Sequence, residues 1–134
     1  ADNAESALAE ILMNHSAALG AGAPELWKVW VQGLPCQMDE EEGKKNHEIL
    51  LQMVQQEKVE VVGQAGANLA QVLAIFVEVY KTDMANDTTS TGIGELVLKV
   101  PQANLEQLAG QMKEKQRKKL MRIHREALEK QQQP

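Results

Sequence analysis

The side chains most able to do chemistry in this chain are three histidines and a single cysteine. His15, His47 and His124 fall in different predicted helices, and none has the His-x-x-x-His spacing of a helical zinc site. Cys36 follows Pro35 in a predicted turn, where no basic partner that could activate its thiol is indicated locally. We therefore expect the histidines at core-edge or surface positions, and Cys36 as a half-buried thiol.

Two glycine pairs and one run of acids could suggest phosphate or metal binding. Gly20/Gly22 and Gly92/Gly94 lack the lysine and hydroxyl residue, and the preceding strand, of a phosphate loop. The consecutive carboxylates of Asp39–Glu42 would point around a helix axis and would not converge on an ion. At a helix N-terminus they are expected to form a solvated cap that complements the helix dipole. The sequence thus predicts no cofactor, no metal site and no enzyme activity.

Two tryptophans lie three residues apart on a short predicted helix. Trp27 and Trp30, with Glu25 nearby, could belong to a ladder of tryptophans and acids of the kind that lines peptide grooves in helical solenoids. The simpler interpretation is core packing between helices, because aromatic side chains dominate core burial. We favour core packing and keep the groove as the alternative.

Basic residues are concentrated at the end of the chain. Residues 1–112 carry six Lys/Arg and sixteen Asp/Glu, a net charge of −10, whereas residues 113–134 carry eight and three, a net charge of +5. This asymmetry predicts a distinct terminal helix that packs by a narrow stripe of Leu120, Ile123, Ala127 and Leu128. The candidate partner-binding residues on it are Lys113, Lys115, Arg117, Lys118, Lys119, Arg122 and Arg125.

Three interpretations of this basic helix remain open. We favour a solvated cap, since cations suit a helix C-terminus and offset the acidic remainder of the chain. The second is a contact for an acidic partner. The third is nucleic-acid binding, which the acidic body and the lack of interleaved aromatic residues make less favourable.

Composition places the chain among all-helical proteins. It has 134 residues, enough for one domain, with 43% hydrophobic but only 3% aromatic residues. A core of Leu, Val, Ala and Met suits packed helices better than a sandwich. A single cysteine excludes an internal disulfide. The most apolar stretch, Leu69–Val79, is too short to span a bilayer, and no signal peptide is expected at the start.

Apolar residues at three- and four-residue spacing predict successive helices. Their expected ranges are about 2–19, 24–34, 68–84 and 93–100, with a third helix that opens at Asp39–Glu42 and a long last helix capped by Asn104. For 93–100, Leu98 and the β-branched residues leave a strand possible, although no partner strand is indicated elsewhere. Residues 85–92 are expected to be an exposed loop, and residues 131–134 a disordered tail. The helices pair into approximate hairpins at 2–35, 39–84 and 93–130 of a single unit, 1–134.

The spacing of these hairpins is typical of a helical repeat. The second starts 37 residues after the first and the third about 52 after the second, which brackets the HEAT period of roughly 40–47. We therefore expect an all-α fold of HEAT-type hairpins stacked as an α-solenoid fragment of about three helix pairs. The first helix should then keep an exposed apolar edge of Leu8, Ile11 and Leu12, with possible self-association through it.

Four elements, in order, resemble the C-terminal HEAT repeats of importin-β-type nuclear transport receptors. They are Asp2-Asn3-Ala4-x-Ser6-Ala7-Leu8; Trp30-x-x-x-Leu34-Pro35 with Asp39–Glu42; Asn68-Leu69-x-x-Val72-Leu73-x-Ile75-Phe76-x-Glu78-Val79; and Leu105-x-x-Leu108 with Gln116-x-x-x-Leu120. Within that family the karyopherin-beta-three (importin-five) branch is most similar. The likeness covers most of residues 2–80, and the lysine-rich stretch after Met112 departs from it.

The resemblance implies a protein-binding scaffold for import through the nuclear pore. Such receptors bind cargo proteins and phenylalanine-glycine nucleoporins, and they move between cytoplasm and nucleus through the pores of the nuclear envelope. Their Ran-GTP contacts lie mostly in upstream repeats, so no Ran-binding residue is carried over to this chain. The alternatives are an unrelated HEAT-repeat adaptor in a cytosolic assembly and, less favoured, a helical nucleic-acid-binding domain. No membrane contact is expected.

Overall fold

The computed structural model describes residues 2–36 and 38–132, and for residues 2, 3, 15–19 and 21 it describes the backbone only. Over these residues the chain forms α-helices joined by short turns, without a strand. The helices are α1 Asp2–Leu19, α2 Ala23–Gln32, α3 Glu40–Gln55, α4 Val59–Val62, α5 Leu69–Val79, α6 Asp87–Lys99, α7 Gln102–Gly110 and α8 Glu114–Gln131. The expected all-α class is confirmed.

The helices contact one another in two series. In the first series α1 packs against α3, and α3 packs against α6. In the second, α2 packs against α4, α4 against α5, and α5 against α7 and α8. The two series are joined by contacts of α1 with α2, α3 with α4, and α6 with α8.

The centre of the apolar core is α5. Its buried side chains surround most of the helix, which fits a helix covered on several sides. They are Val72, Leu73, Ile75, Phe76, Val77 and Val79. The predicted burial of Phe76 is confirmed, since its side chain is fully excluded from solvent.

The expected loop at 85–92 is wrong, because helix α6 begins at Asp87. Asn86 caps it: the side-chain oxygen accepts a hydrogen bond from the Thr89 amide at 2.7 Å. Thr89 and Ser90, which suggested a loop, are buried in this helix. Gly92 lies close to α3, since a Cβ built on it would lie 2.5 Å from the Leu51 side chain. On the other side of the helix, a Cβ on Gly94 would lie 3.2 Å from that of Ala127.

Two predicted helix ends also differ from the structure. The fourth predicted helix, 68–84, ends at Val79, where the Thr82 hydroxyl donates to the Val79 carbonyl oxygen at 2.7 Å. The expected long last helix is two helices, because α7 stops at Gly110 and α8 starts at Glu114. At the new start, the Gln116 side chain accepts a hydrogen bond from the Lys113 amide. Helix α8 continues to Gln131, and the end of the predicted tail, 133–134, lies outside the described residues.

The first helix has an apolar edge that is only partly exposed. Ile11 is 42% exposed, as expected, and Leu8 is partly buried. The expectation is wrong for Leu12, which is buried in the core. No helix among the described residues is both long and apolar enough to cross a membrane.

Candidate interaction site on the basic helix

The candidate chemical residues are placed in structural roles. His47 is buried, and its Nε2 accepts a hydrogen bond from the Cys36 amide at 3.1 Å. Because Nε2 accepts, the ring hydrogen belongs on Nδ1, which lies 2.8 Å from the Met84 carbonyl oxygen and donates to it. His47 therefore links the turn after α2 to the turn after α5. Cys36 is 1% exposed, so the expected half-buried thiol is wrong, because the turn folds it into the core.

The other two histidines do not join His47 in a described cluster. His124 lies half-buried on α8, and the side chain of His15 is outside the described residues. Within the part of the chain that the structure describes, no group of three or more His, Cys, Asp or Glu side chains is placed to hold a metal ion.

Both tryptophans are buried, which confirms their predicted core packing. Their rings meet edge to face, with centroids 5.5 Å apart and planes at 81°. Trp30 also donates its indole hydrogen to Asn46 Oδ1 at 3.0 Å, so α2 is hydrogen-bonded to α3 inside the core.

Asn46 connects three helices, and sequence reasoning missed it. Its Nδ2 donates to Ser6 Oγ on α1 and to the Glu42 carbonyl oxygen, both at 2.8 Å. Ser6 in turn donates to the Glu42 carboxylate. The spacing of the sequence could have indicated its burial. Asn46 stands next to His47 and four residues before buried Leu50, which places it on the inward face of α3.

The acidic run Asp39–Glu42 is divided between two roles. Asp39 caps α3, because its carboxylate accepts from the Glu42 amide at 3.1 Å. Glu40 and Glu41 are exposed, as a solvated cap requires. Glu42 departs from the prediction, since its carboxylate accepts the bond from Ser6 and is half-buried.

Helix α8 packs inward by a narrow stripe, as predicted, but with different members. Leu120 and Ile123 are fully buried and Ala127 is half-buried, whereas Leu128 is 38% exposed and does not belong to the stripe. Lys119 takes part instead: its stem is half-buried, and its ammonium donates to the Glu78 carbonyl oxygen at 3.2 Å. Burial, and then the nearby Arg122 charge, lower the pKa of Lys119.

Glu126 holds the middle of α8 against the end of α5. Its carboxylate accepts a hydrogen bond from the Tyr80 hydroxyl at 2.9 Å and pairs with Lys81 at 3.2 Å and Arg122 at 3.4 Å. Burial tends to raise the pKa of Glu126, but the Tyr80 bond and the two cations outweigh it and lower that pKa. Burial first, and then Glu126, raise the pKa of Tyr80 to about 12.

The predicted basic residues differ in whether their charge is compensated. Lys118 pairs with Glu114 at 3.4 Å, and Arg122 pairs with Glu126. The remaining exposed cations of the set have no ion pair among the residues that the structure describes: Lys113, Lys115, Arg117 and Arg125. The predicted basic residues thus lie on α8 or, for Lys113, at its N-terminal cap. All are exposed except Lys119, which is half-buried.

A groove of about 950 Å³ lies between α6 and the C-terminal half of α8. Its walls carry Lys81 and Lys130 beside Glu95, Glu126 and Glu129, so side chains of both signs face it. Asp87 lines the groove as well, so four carboxylates face two ammonium groups and the lining carries more negative than positive charge.

Comparison with models of known protein families finds no match, and comparisons with curated proteins and with solved structures find none either.

Proposed function

We propose that this chain is the C-terminal portion of an importin-β-type nuclear transport receptor, a non-enzymatic scaffold that binds proteins. The observation that supports this most is the order of the helix contacts. Helices α1, α3 and α6 follow one another in one series, while α2, α4–α5 and α7–α8 follow one another in the other.

This order is what stacked HEAT-type hairpins require. Each hairpin contributes one helix to each series and buries its apolar face against its neighbours. The breaks inside the second and third hairpins, before α5 and before α8, keep that order while adding short helices. The proposed solenoid fragment thus has three hairpins, α1–α2, α3–α5 and α6–α8.

The proposed partners are cargo proteins and phenylalanine-glycine nucleoporins, and the proposed location is the cytoplasm, the nucleus and the pores between them. Ran-GTP would be bound by upstream repeats only. Exposed apolar side chains on the first hairpin, Ile11 and Met13 on α1 and Val29 on α2, are the places where a solenoid neighbour or a second copy would pack.

A pull-down on immobilised phenylalanine-glycine repeats tests the proposal. We expect this chain to be retained by such repeats and not by matched repeats in which every phenylalanine is serine. Equal retention on both matrices, or none on either, would contradict a transport-receptor role and favour the alternative of a HEAT-repeat adaptor in a cytosolic assembly.

Self-association is tested separately by analytical ultracentrifugation. The paired change Ile11→Ser and Met13→Ser should reduce any association of the chain, because it removes exposed apolar surface from α1. Met121→Ser on α8 is the matched control, since it removes a similarly exposed methionine from the other end of the fold. A loss of association only in the control would contradict packing through α1.

A further inference from the structure

The solvent side of α8 carries one continuous stripe of alternating arginine and apolar residues. Arg117, Met121, Arg125 and Leu128 are spaced by four, four and three residues, which places them along one side of the helix. All four are exposed. We call this set the outer stripe.

The two arginines of the outer stripe are, like Lys115, cations of α8 that form no ion pair with another described residue. On the adjacent face, Lys118 is paired with Glu114 and Arg122 with Glu126. Arg117 and Arg125 have no such partner among the described residues, although acids are present on the same helix. Two guanidinium groups are therefore free to bind carboxylates of another molecule, and each can do so with two hydrogen bonds.

The apolar members of the outer stripe are not needed for the fold. Leu120 and Ile123 already pack α8 into the core, whereas Met121 is 57% and Leu128 is 38% exposed. A methionine adapts its shape to many apolar partners, so it is well suited to an interface. An exposed methionine between two unpaired arginines is the pattern expected of a contact surface.

We propose that the outer stripe docks an acidic amphipathic helix of a partner protein. Arg117 and Arg125 are eight residues apart, which is about 12 Å along the axis at about 1.5 Å per residue. The partner helix therefore presents two carboxylates seven or eight residues apart and an apolar side chain midway between them, which contacts Met121. This is helix-on-helix recognition with apolar anchors and flanking charge pairs.

Charge complementarity favours an acidic protein over other anions. Helix α8 contains no Phe, Tyr or Trp on which a nucleotide base could stack. The remainder of the chain, residues 1–112, has a net charge of −10, which would repel an extended nucleic acid or an anionic membrane. A short acidic helix can bind to the outer stripe alone, so it need not approach the acidic residues 1–112.

The test is fluorescence anisotropy with a labelled helical peptide that has glutamates seven residues apart and a leucine midway. We expect binding that weakens with salt and fails for the same peptide with glutamine in place of glutamate. The double change Arg117→Gln and Arg125→Gln should weaken binding by about tenfold or more. The matched control, Lys118→Gln and Arg122→Gln, removes two charges from the same helix and should weaken it by less than about twofold.

A second variant separates the docking surface from general charge attraction. Met121→Ser leaves every charge in place, and we expect it to weaken peptide binding by about threefold to tenfold through the lost apolar contact. Melting curves should show all three variants folded, because the changed side chains are exposed. Binding to phenylalanine-glycine repeats should be unaffected, so failure here leaves the proposed transport function standing.

Four outcomes would overturn the proposal. Equal loss of binding in the two double variants would mean that only total charge matters. Unchanged binding by Met121→Ser would remove the apolar anchor. Tighter binding to an oligothymidylate, or to phosphatidylserine-containing vesicles, than to the peptide would identify a different class of partner. Concentration-dependent self-association that the Arg117→Gln and Arg125→Gln change abolishes would make the occupant a second copy of this chain.

Discussion

The contacts that join α1, α2 and α3 differ in kind from those that hold α5 in place. Between the first three helices, Trp30, Asn46 and Ser6 form a chain of buried hydrogen bonds that ends at Glu42. On α5 itself, the buried side chains are all aliphatic or aromatic. One region is held in a particular orientation by directional bonds, while the other is held by the removal of apolar surface from water.

The difference determines how each region responds to change. An apolar core loses stability in proportion to the volume removed, and neighbouring side chains can move to fill part of the gap. A buried hydrogen-bond network loses more when one member is removed than when both partners are replaced, because the orphaned group stays dehydrated. The predictions below use this asymmetry.

The largest effect is expected in the apolar region. Phe76→Ala should lower the free energy of unfolding by about 3–5 kcal/mol, because it leaves a cavity beside the other buried residues of α5. Chemical denaturation monitored by circular dichroism measures this loss. Cys36→Ala is the control: it is equally buried but removes one atom, so its loss should be far smaller. Equal small losses for both would show that α5 is not the centre of the core.

The next effect is expected in the polar network. Asn46→Ala should cost about 1–3 kcal/mol, since it orphans the Trp30 indole hydrogen inside the protein. In Trp30→Phe that hydrogen is already gone, so adding Asn46→Ala should cost less than it does in the unchanged chain. A double-mutant cycle measures this coupling, and strictly additive losses would contradict a cooperative network.

A smaller, pH-dependent effect is expected where α8 meets the end of α5. Glu126→Gln should lower stability at neutral pH by no more than about 1 kcal/mol, because water screens the two ion pairs of a partly exposed carboxylate. The folded state lowers the pKa of Glu126 below its ordinary 4.5, so it binds this proton less readily than the unfolded chain. The stabilisation by ionised Glu126 is therefore present above pH 4.5, and it disappears as the pH falls through the lower pKa of the folded state.

Thermal melting of the two proteins at a series of pH values measures this effect. The melting temperatures should differ at neutral pH and converge in acid. A difference that grows as the pH falls would contradict the assigned role of Glu126.

A matching effect is expected in alkali. Tyr80 is the chain's single tyrosine, so tyrosinate absorbance reports on it alone. The pKa of Tyr80 is raised to about 12. The stability that depends on its neutral phenol is therefore fully present below pH 10 and is lost as the pH rises through about 12. In Glu126→Gln the pKa should fall toward 10 without reaching it, because burial is the larger cause. An unchanged titration would show that the Tyr80–Glu126 bond does not form in solution.

The smallest effect is expected at Thr89. Its hydroxyl is fully buried and has no hydrogen-bond partner among the residues that the structure describes. Thr89→Val keeps the shape and removes the unsatisfied group, and we expect the melting temperature to be unchanged or slightly raised. A clear drop would mean that the hydroxyl binds a group inside the protein, and this part of α6 would then belong with the polar region.

Sequence periodicity was sufficient where apolar side chains determine the structure. It placed α1, α2, α3 and the buried face of α5, because Leu50, Val72 and Phe76 fall on regular helical stripes. The uneven distribution of charge, rather than periodicity, grouped the cations of α8 as one candidate surface.

Periodicity failed where small or polar residues determine the structure. Thr89, Ser90 and Gly92 look like loop residues, yet they are buried on α6 because the cap at Asn86 and contact with α3 organise them. Asn46 was missed because its bonds to Ser6 and Trp30 cross between helices far apart in sequence. That Arg117 and Arg125 form no ion pair with another described residue likewise depends on side-chain geometry, which spacing alone does not determine.

The two glycines of α6 make that helix a thin spacer. Gly92 faces α3 and Gly94, about 200° further around the axis at about 100° per residue, faces α8. A Cβ at Gly92 would lie 2.5 Å from a terminal methyl group of Leu51, so that methyl group would have to move to make room for it. On the side of α8, a Cβ at Gly94 would lie 3.2 Å from the Cβ of Ala127, which is closer than ordinary van der Waals contact. The lack of side chains at these two positions thus lets α3 and α8 approach α6 closely from different sides.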